Sequence, residues 1–401
     1  MNNKNEKVKN AIMIGTLCAL SYLGVYIARN MLGAVTPQMV ESGAYTNEYI
    51  GTVSSLFFIA YAIGQLINGI VGQKIKPKYM LSFGMFLAGI SAFVFPHTMN
   101  NVALARLSYS LMGFFLSMIY APMTKVVAEN TDPLYTPRCS LGYEFSSLFG
   151  SPLAGMLAAV LTWVSVFYVG SSILVIMGVV CFVVFTYFEK KGIVKHYEIK
   201  KAEGEAQGIK GLFKHRIVTF TFVAMLTGVI RTSVTFWMPT YFSQYLGFSP
   251  KNSALIFTVA TLVISLAAFI SVFVYEKLNR NMNKTLLLSF AASAMFFLLL
   301  FLIKQPIMNI AFMILAVLTA NCAAAMLWSV YCPSLRDTGM ISGATGFLDF
   351  VSYMSAAAAS SIFANAATSI GWGNLILVWF GLMAVGVVIL MPIKTKNKQL
   401  Q

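Results

Sequence analysis

Twelve apolar stretches, most of them twenty residues or longer, follow one another through this 401-residue chain. About twenty apolar residues are what a helix needs to cross the hydrocarbon of a bilayer. The stretches cover residues 11–36, 50–71, 79–95, 102–127, 137–161, 164–187, 215–242, 254–275, 285–303, 307–328, 340–364 and 372–391. In lipid every backbone N–H and C=O must be satisfied within the protein, so unbroken apolar segments of this length are helices. The expected fold is an all-α membrane protein of twelve transmembrane helices, grouped as two pseudo-symmetric six-helix bundles. Only 10% of residues are charged and 58% are hydrophobic, where soluble domains carry about a quarter charged. That balance excludes a soluble enzyme, a nucleic-acid-binding module and a disordered tail protein.

Six stretches precede and six follow the hydrophilic segment Glu189–Lys214. The expected organisation is a first bundle at 1–188, a linker at 189–214 and a second bundle with a short basic tail at 215–401. The basic N-terminus runs into apolar sequence without an Ala-x-Ala cleavage site, which predicts an uncleaved first helix and not a signal peptide. The five cysteines (Cys18, Cys139, Cys181, Cys322, Cys332) show no metal-ligand spacing and are read as packing residues. No metal or cofactor is expected.

The formal charge is +15, and its distribution orients the chain. Twenty-three Lys and Arg fall in the N-tail, the alternate loops, the linker and the C-tail. Only Lys251, Lys304 and Arg106 fall on the other side. The positive-inside rule then places both termini in the cytoplasm. The expected setting is a bacterial cell membrane.

Four ionisable residues lie well inside the apolar stretches: Arg29, Glu144, Arg231 and Asp349. A charge at such a depth costs a few kcal/mol on insertion scales unless it faces a polar cavity or a partner. The plain alternative is that acid and arginine pair to lock helices together. Against it stands an internal repeat. Arg231 follows Arg29 by 202 residues, and each arginine is followed eight residues later by a proline, Pro37 and Pro239. Asp349 follows Glu144 by 205 residues. Transporter folds with internal repeats hold substrate near the bilayer midplane at the repeat interface. Counting 1.5 Å per residue puts the arginines roughly 24–27 Å from the cytoplasmic starts of their helices and the acids about 10–14 Å. Two guanidiniums facing one cavity donate in parallel to the oxygens of a phosphate or carboxylate, which makes the chain an organic-anion transporter.

The first stretch reads Tyr22-Leu-Gly-Val-Tyr26-Ile-Ala-Arg29-Asn30 and the seventh Arg231-Thr-Ser-Val-Thr-Phe-Trp237-Met-Pro239-Thr240-Tyr241. The eleventh contains Gly343-Ala-Thr-Gly346-Phe347 and Tyr353 and runs to Ile370-Gly371-Trp372. Together these resemble the organophosphate:phosphate antiporters of the major facilitator superfamily, such as the glycerol-3-phosphate and hexose-6-phosphate transporters. The resemblance implies a rocker-switch exchanger that trades cytoplasmic inorganic phosphate for an external phosphate ester. It assigns phosphoryl binding to Arg29 and Arg231 and substrate contact to Tyr22, Tyr26, Tyr61 and Tyr353. The chain departs from that pattern in places. Gln65 stands where the glycerol-phosphate carrier has a lysine, Gln73 replaces an acid in the second loop, and Cys322, beside Asn321, takes the place of a tyrosine. Gln65 is therefore a further candidate substrate residue, and Glu144 and Asp349 are candidates for coupling or gating.

A second reading remains open: a proton-coupled symporter of a carboxylate or sugar acid, with Glu144 or Asp349 titrating in a low-dielectric cavity. A transporter-like sensor is a third. The expected partners are a small anionic substrate, inorganic phosphate or protons, and the lipid bilayer. No nucleic acid is expected, and a monomer suffices for this architecture. No Ser/His/Asp set, metal cluster or phosphate-binding loop supports an enzyme. No ATP motif exists, so a solute or ion gradient drives the cycle.

Overall fold

A computed structural model describes residues 2–71, 75–131, 136–195, 208–335 and 341–391. Gln73, Lys74, Arg336, residues 196–207 of the linker and the basic tail lie outside them, as does the side chain of Arg138. The side chain of Glu144 lies outside them as well, although its backbone is helical.

The described residues form helices and no strand. In chain order the long helices are α1 (Asn2–Glu41), α2 (Asn47–Val71), α3 (Pro77–His97), α4 (Val102–Val127), α5 (Thr136–Val160) and α6 (Trp163–Lys190). After the short helix Gly208–Lys214 come α7 (Ile217–Gln244), α8 (Pro250–Lys277), α9 (Met282–Leu302), α10 (Pro306–Ser334), α11 (Ile341–Ser369) and α12 (Gly371–Leu390). Eleven of these are long and apolar enough to cross a membrane, and α5 adds the shorter apolar piece Leu148–Val160. The twelve expected helices are therefore present.

Local chemistry sets their ends. Proline opens α3, α8 and α10, where its missing N–H has no helical partner to lose. Asn101, Thr162, Ser249, Asn281 and Gln305 accept backbone N–H groups of the first turn at the starts of α4, α6, α8, α9 and α10. Gly43 and Gly247 close the α1–α2 and α7–α8 connections at φ +73° and +75°, a backbone state that glycine adopts without a Cβ penalty. They are 204 residues apart, so the repeat seen at the arginines extends to the following turn. Large apolar side chains such as Val183, Val259 and Val388 are more than half exposed. Such a surface suits lipid and would aggregate in water.

Helices of the first six and of the last six meet at the end away from the termini. There α2 and α11 run antiparallel in a regular register, pairing Gly51 with Ala364, Ser54 with Ser360, Ser55 with Ala357 and Tyr61 with Tyr353. The Ser54 and Ser360 hydroxyls are 2.5 Å apart, and Ser55 Oγ donates to Ala357 O at 2.6 Å. A Cβ on Gly51 would stand 2.5 Å from that of Ala364, so only glycine lets the two backbones approach this far. The eleven residues from Gly51 to Tyr61 make a seam about 15 Å deep. Similar contacts join α1 to α7 at Gly33 and Phe236, and α5 to α8, where Thr258 Oγ1 donates to Pro152 O at 3.3 Å. Outermost, Asn47 and Gln244 exchange amide hydrogen bonds of 2.8 and 3.2 Å, and Trp372 Nε1 donates to the same Gln244 oxygen at 3.2 Å.

Candidate substrate cavity

Below this seam a cavity of about 760 Å³ lies between the first six and the last six helices. Its wall includes Tyr26, Arg29 and Asn30 of α1, Tyr120 of α4, Ser151 of α5, and Arg231, Thr232 and Thr235 of α7. On the far side the lining descends α8 from Thr261 to Glu276, the penultimate residue of that helix, and α10 from Asn321 to Ser329. Glu276 is exposed. The cavity therefore opens toward the end that carries the termini and is closed at the other.

Both arginines line it, but they are held differently. Arg29 Nη1 donates to Tyr353 Oη at 2.7 Å, and its guanidinium lies 4.8, 5.3 and 5.7 Å from the ring centroids of Tyr353, Tyr61 and Tyr26. Cation–π attraction of this kind replaces part of the hydration that Arg29 has lost. Tyr61 and Tyr353 stack edge to face at 4.8 Å, so the cage joins α2 and α11 around a side chain from α1. Arg231 makes no hydrogen bond or ion pair with any described residue. It sits in a π-helical segment, Val229–Val234, that interrupts α7. One extra residue per turn rotates the side chains that follow, and such bulges occur often at functional sites. Gly228 and Ser233 hold this segment against α11. A Cβ on Gly228 would meet Ser352 Oγ at 2.3 Å, and Ser233 Oγ donates to Ala356 O at 2.6 Å.

Among the described residues the ion pairs join Lys78 to Glu189 and Lys125 to Glu129. Neither arginine pairs with a described carboxylate, so among the described residues no acid–arginine ion pair locks helices together at Arg29, Arg231 or Asp349. Asp349 still lies within electrostatic range of both arginines and of Tyr61 and Tyr353. Continuing the α2–α11 register by one turn sets Gln65 level with Asp349.

Of the residues singled out from sequence, Arg29, Arg231 and Tyr26 form the cavity wall. Tyr61 and Tyr353 stand behind Arg29, buried at 4% exposure. Gln65 and Asp349 are partly exposed but do not line the wall. Tyr22 is buried behind Tyr26 and Tyr120, at ring separations of 4.9 and 5.6 Å, and is not part of the cavity wall. Tyr120, Asn30, Asn321 and the α8 wall were not anticipated as a set. Cys322, at the position of the missing tyrosine, is turned away and donates its thiol to Ala267 O at 3.3 Å. Its neighbour Asn321 faces the cavity instead. All five cysteines are free and buried.

The cage gives a direct expectation. Tyr353→Phe keeps the ring contacts and removes the acceptor on Arg29, freeing one more N–H for an anion. Binding of inorganic phosphate is expected to tighten by about fivefold to tenfold, in proportion to a hydrogen bond to a charged group. Calorimetry on the detergent-solubilised protein measures it, and unchanged or weaker binding would count against competition between Tyr353 and the anion.

Residues 18–360 match the Major Facilitator Superfamily. The chain is 24% identical over 277 residues to a glycerol-3-phosphate transporter of Bacillus subtilis, covering 63% of this chain and 62% of that protein. It is 29% identical over 96 residues to the membrane sensor protein UhpC of Salmonella typhimurium, covering 24% of this chain and 22% of that one. A hexuronate transporter of Bacillus subtilis is 24% identical over 277 residues, covering 64% and 63%. The matches thus span less than two thirds of each relative. These relatives bear out the likeness to the organophosphate:phosphate antiporters, and by their names they are transporters and a sensor, not enzymes. The crystal structure of a D-xylose-proton symporter superposes with a TM-score of 0.73 at 12% identity, covering 98% of this chain and 100% of that one. By the match along most of its length and by its helical architecture, the chain belongs to the Major Facilitator Superfamily.

Proposed function

We propose that the protein is a secondary transporter that exchanges a phosphate ester for inorganic phosphate by alternating access. The observation that carries the reading is a cavity with two arginines in its wall, one without any partner among the described residues. A phosphoryl group between them would accept from Arg231 and from the remaining N–H groups of Arg29. Two cations facing one space repel each other, and a dianion between them relieves that repulsion. Bound anion thus favours the state in which the halves draw together, and the empty protein does not. Only such a difference in affinity between states can drive the change. The halves are the bundles 1–188 and 215–401, tethered by 189–214, in a monomer with both termini in the cytoplasm of a bacterial cell. On that orientation the cavity is open inward.

The relatives named for hexuronate and for proton-coupled xylose transport favour a second reading, a proton symporter of a carboxylate or sugar acid. Asp349, near both arginines, would then carry the proton, with Glu144 as the alternative.

The test uses proteoliposomes loaded with labelled phosphate, with phosphate, glycerol-3-phosphate, hexose-6-phosphate or gluconate outside, with and without a pH gradient. Efflux that requires an external phosphate compound, ignores the gradient and survives Asp349→Asn within about threefold is the expected result. Gluconate uptake driven by an inward proton gradient and lost in Asp349→Asn would replace the antiport reading with symport.

A further inference from the structure

On its α8 and α10 side the cavity is short of hydrogen-bond donors. Asn30 Nδ2 donates to Tyr26 O at 2.7 Å, and Asn321 Nδ2 donates to Val317 O at 2.9 Å. Both amides thus spend a hydrogen on their own helix, and neither Oδ1 receives a donor from any described residue. Thr261 Oγ1 donates to Phe257 O at 2.8 Å and Ser265 Oγ to Leu262 O at 2.6 Å. All four residues line the cavity, on α1, α8 and α10, and their oxygens remain as acceptors. The Cys322 thiol bond to Ala267 O fixes the height of Asn321 on α10 next to this part of α8. Around these residues the wall is Ile264, Ala267, Ala268, Ala324 and Ala325, which offer nothing polar from their side chains. The indole of Trp328 lies two turns nearer the mouth than Asn321.

Resting on the phosphoryl reading, we propose that Asn321, with Asn30, reads the end of the substrate away from the phosphate. It accepts a hydrogen-bond donor there, a hydroxyl or an ammonium, and rejects a second anion. A hydroxyl or ammonium group replaces its lost water with Asn321 Oδ1. A carboxylate has only acceptors, so it meets the unpaired Oδ1 atoms and the Thr261 and Ser265 hydroxyl oxygens as like partners, with only the one amide hydrogen left on each asparagine to offset its lost hydration. Sites that hydrogen-bond one group discriminate strongly against an analogue that cannot reciprocate. The proposal opposes the simplest electrostatic expectation, in which two arginines attract the more highly charged ligand.

Glycerol-3-phosphate and 3-phosphoglycerate differ at one end, CH₂OH against COO⁻, and make a matched pair. Their power to inhibit phosphate self-exchange in proteoliposomes is measured as a ratio within one preparation, which cancels the fraction of active protein. The wild-type protein is expected to favour glycerol-3-phosphate by at least about tenfold. In Asn321→Ala the preference falls to within about threefold, and in Asn321→Asp phosphoethanolamine gains on glycerol-3-phosphate by about tenfold. Phosphate self-exchange with equal inhibition by the matched pair overturns this proposal alone, as does a preference that both variants leave unchanged. Absence of phosphate self-exchange in the wild-type protein overturns the exchange reading and this one with it.

Discussion

Arg231→Lys is expected to lower kcat/KM for phosphate exchange by about a hundredfold, roughly 3 kcal/mol of lost stabilisation, with most of the loss in KM. Arg231 makes no hydrogen bond or ion pair with any described residue, and its planar fork can meet two phosphoryl oxygens at once. A lysine brings the same charge as a single point on a flexible stem. Arg29→Lys is expected to cost as much but to divide differently, with the larger share in kcat. Arg29 is bound to Tyr353 and enclosed by rings from α1, α2 and α11, so it links helices that must move relative to each other during the cycle. Lysine loses the hydrogen-bonded tie to Tyr353. Initial-rate exchange against external phosphate, with protein quantified in the membrane, separates the two parameters. Wild-type rates in both variants would remove the two-arginine clamp from the mechanism.

The parts of this architecture that were legible in the sequence are those that violate or repeat a pattern. Arg29 and Arg231 stand out because charge in an apolar stretch is expensive, and their matched prolines reveal the repeat. The resemblance supplied Tyr61 and Tyr353. What lay beyond reach depends on helical phase and on local side-chain bonding. Tyr22 is seven residues before Arg29 and so on nearly the same face. Two turns separate them, however, and Tyr120 covers it. Gln65 follows Tyr61 by one turn yet does not reach the wall. The π-helical segment at Val229–Val234 has no local marker in composition, because tertiary contacts of Gly228 and Ser233 with α11 accompany it. Asn321 and Thr261 look in sequence like any polar residue bonded back to its own helix. Only the cavity shows that both residues lie in its wall.

A disulfide between Ser54→Cys and Ser360→Cys is expected to abolish exchange, and reduction is expected to restore it. Alternating access requires the end now closed to open, and the seam between α2 and α11 is the deepest contact there. The two serine oxygens are 2.5 Å apart, close to the ~2.05 Å of an S–S bond, so the cysteines need little movement to join. Their neighbours hold the register, since Ser55 is tied to Ala357 and Trp237 Nε1 donates to Ser360 O at 3.1 Å. A covalent bond cannot be outweighed by the affinity of any substrate for the opposite state, whereas the native hydroxyl contact, about 1 kcal/mol net, can. The native cysteines are buried and free, so thiol titration before and after oxidation counts the new bond. Each single variant treated with the same oxidant serves as control and is expected to keep exchanging. Undiminished exchange by the fully oxidised pair would mean that α2 and α11 do not part at Ser54, and that the path to the closed side runs elsewhere. Phosphate binding by the locked protein supplies the complementary readout. The cavity and both arginines lie on the open side of the seam, so binding should persist when exchange is gone, which would separate recognition of the anion from its movement.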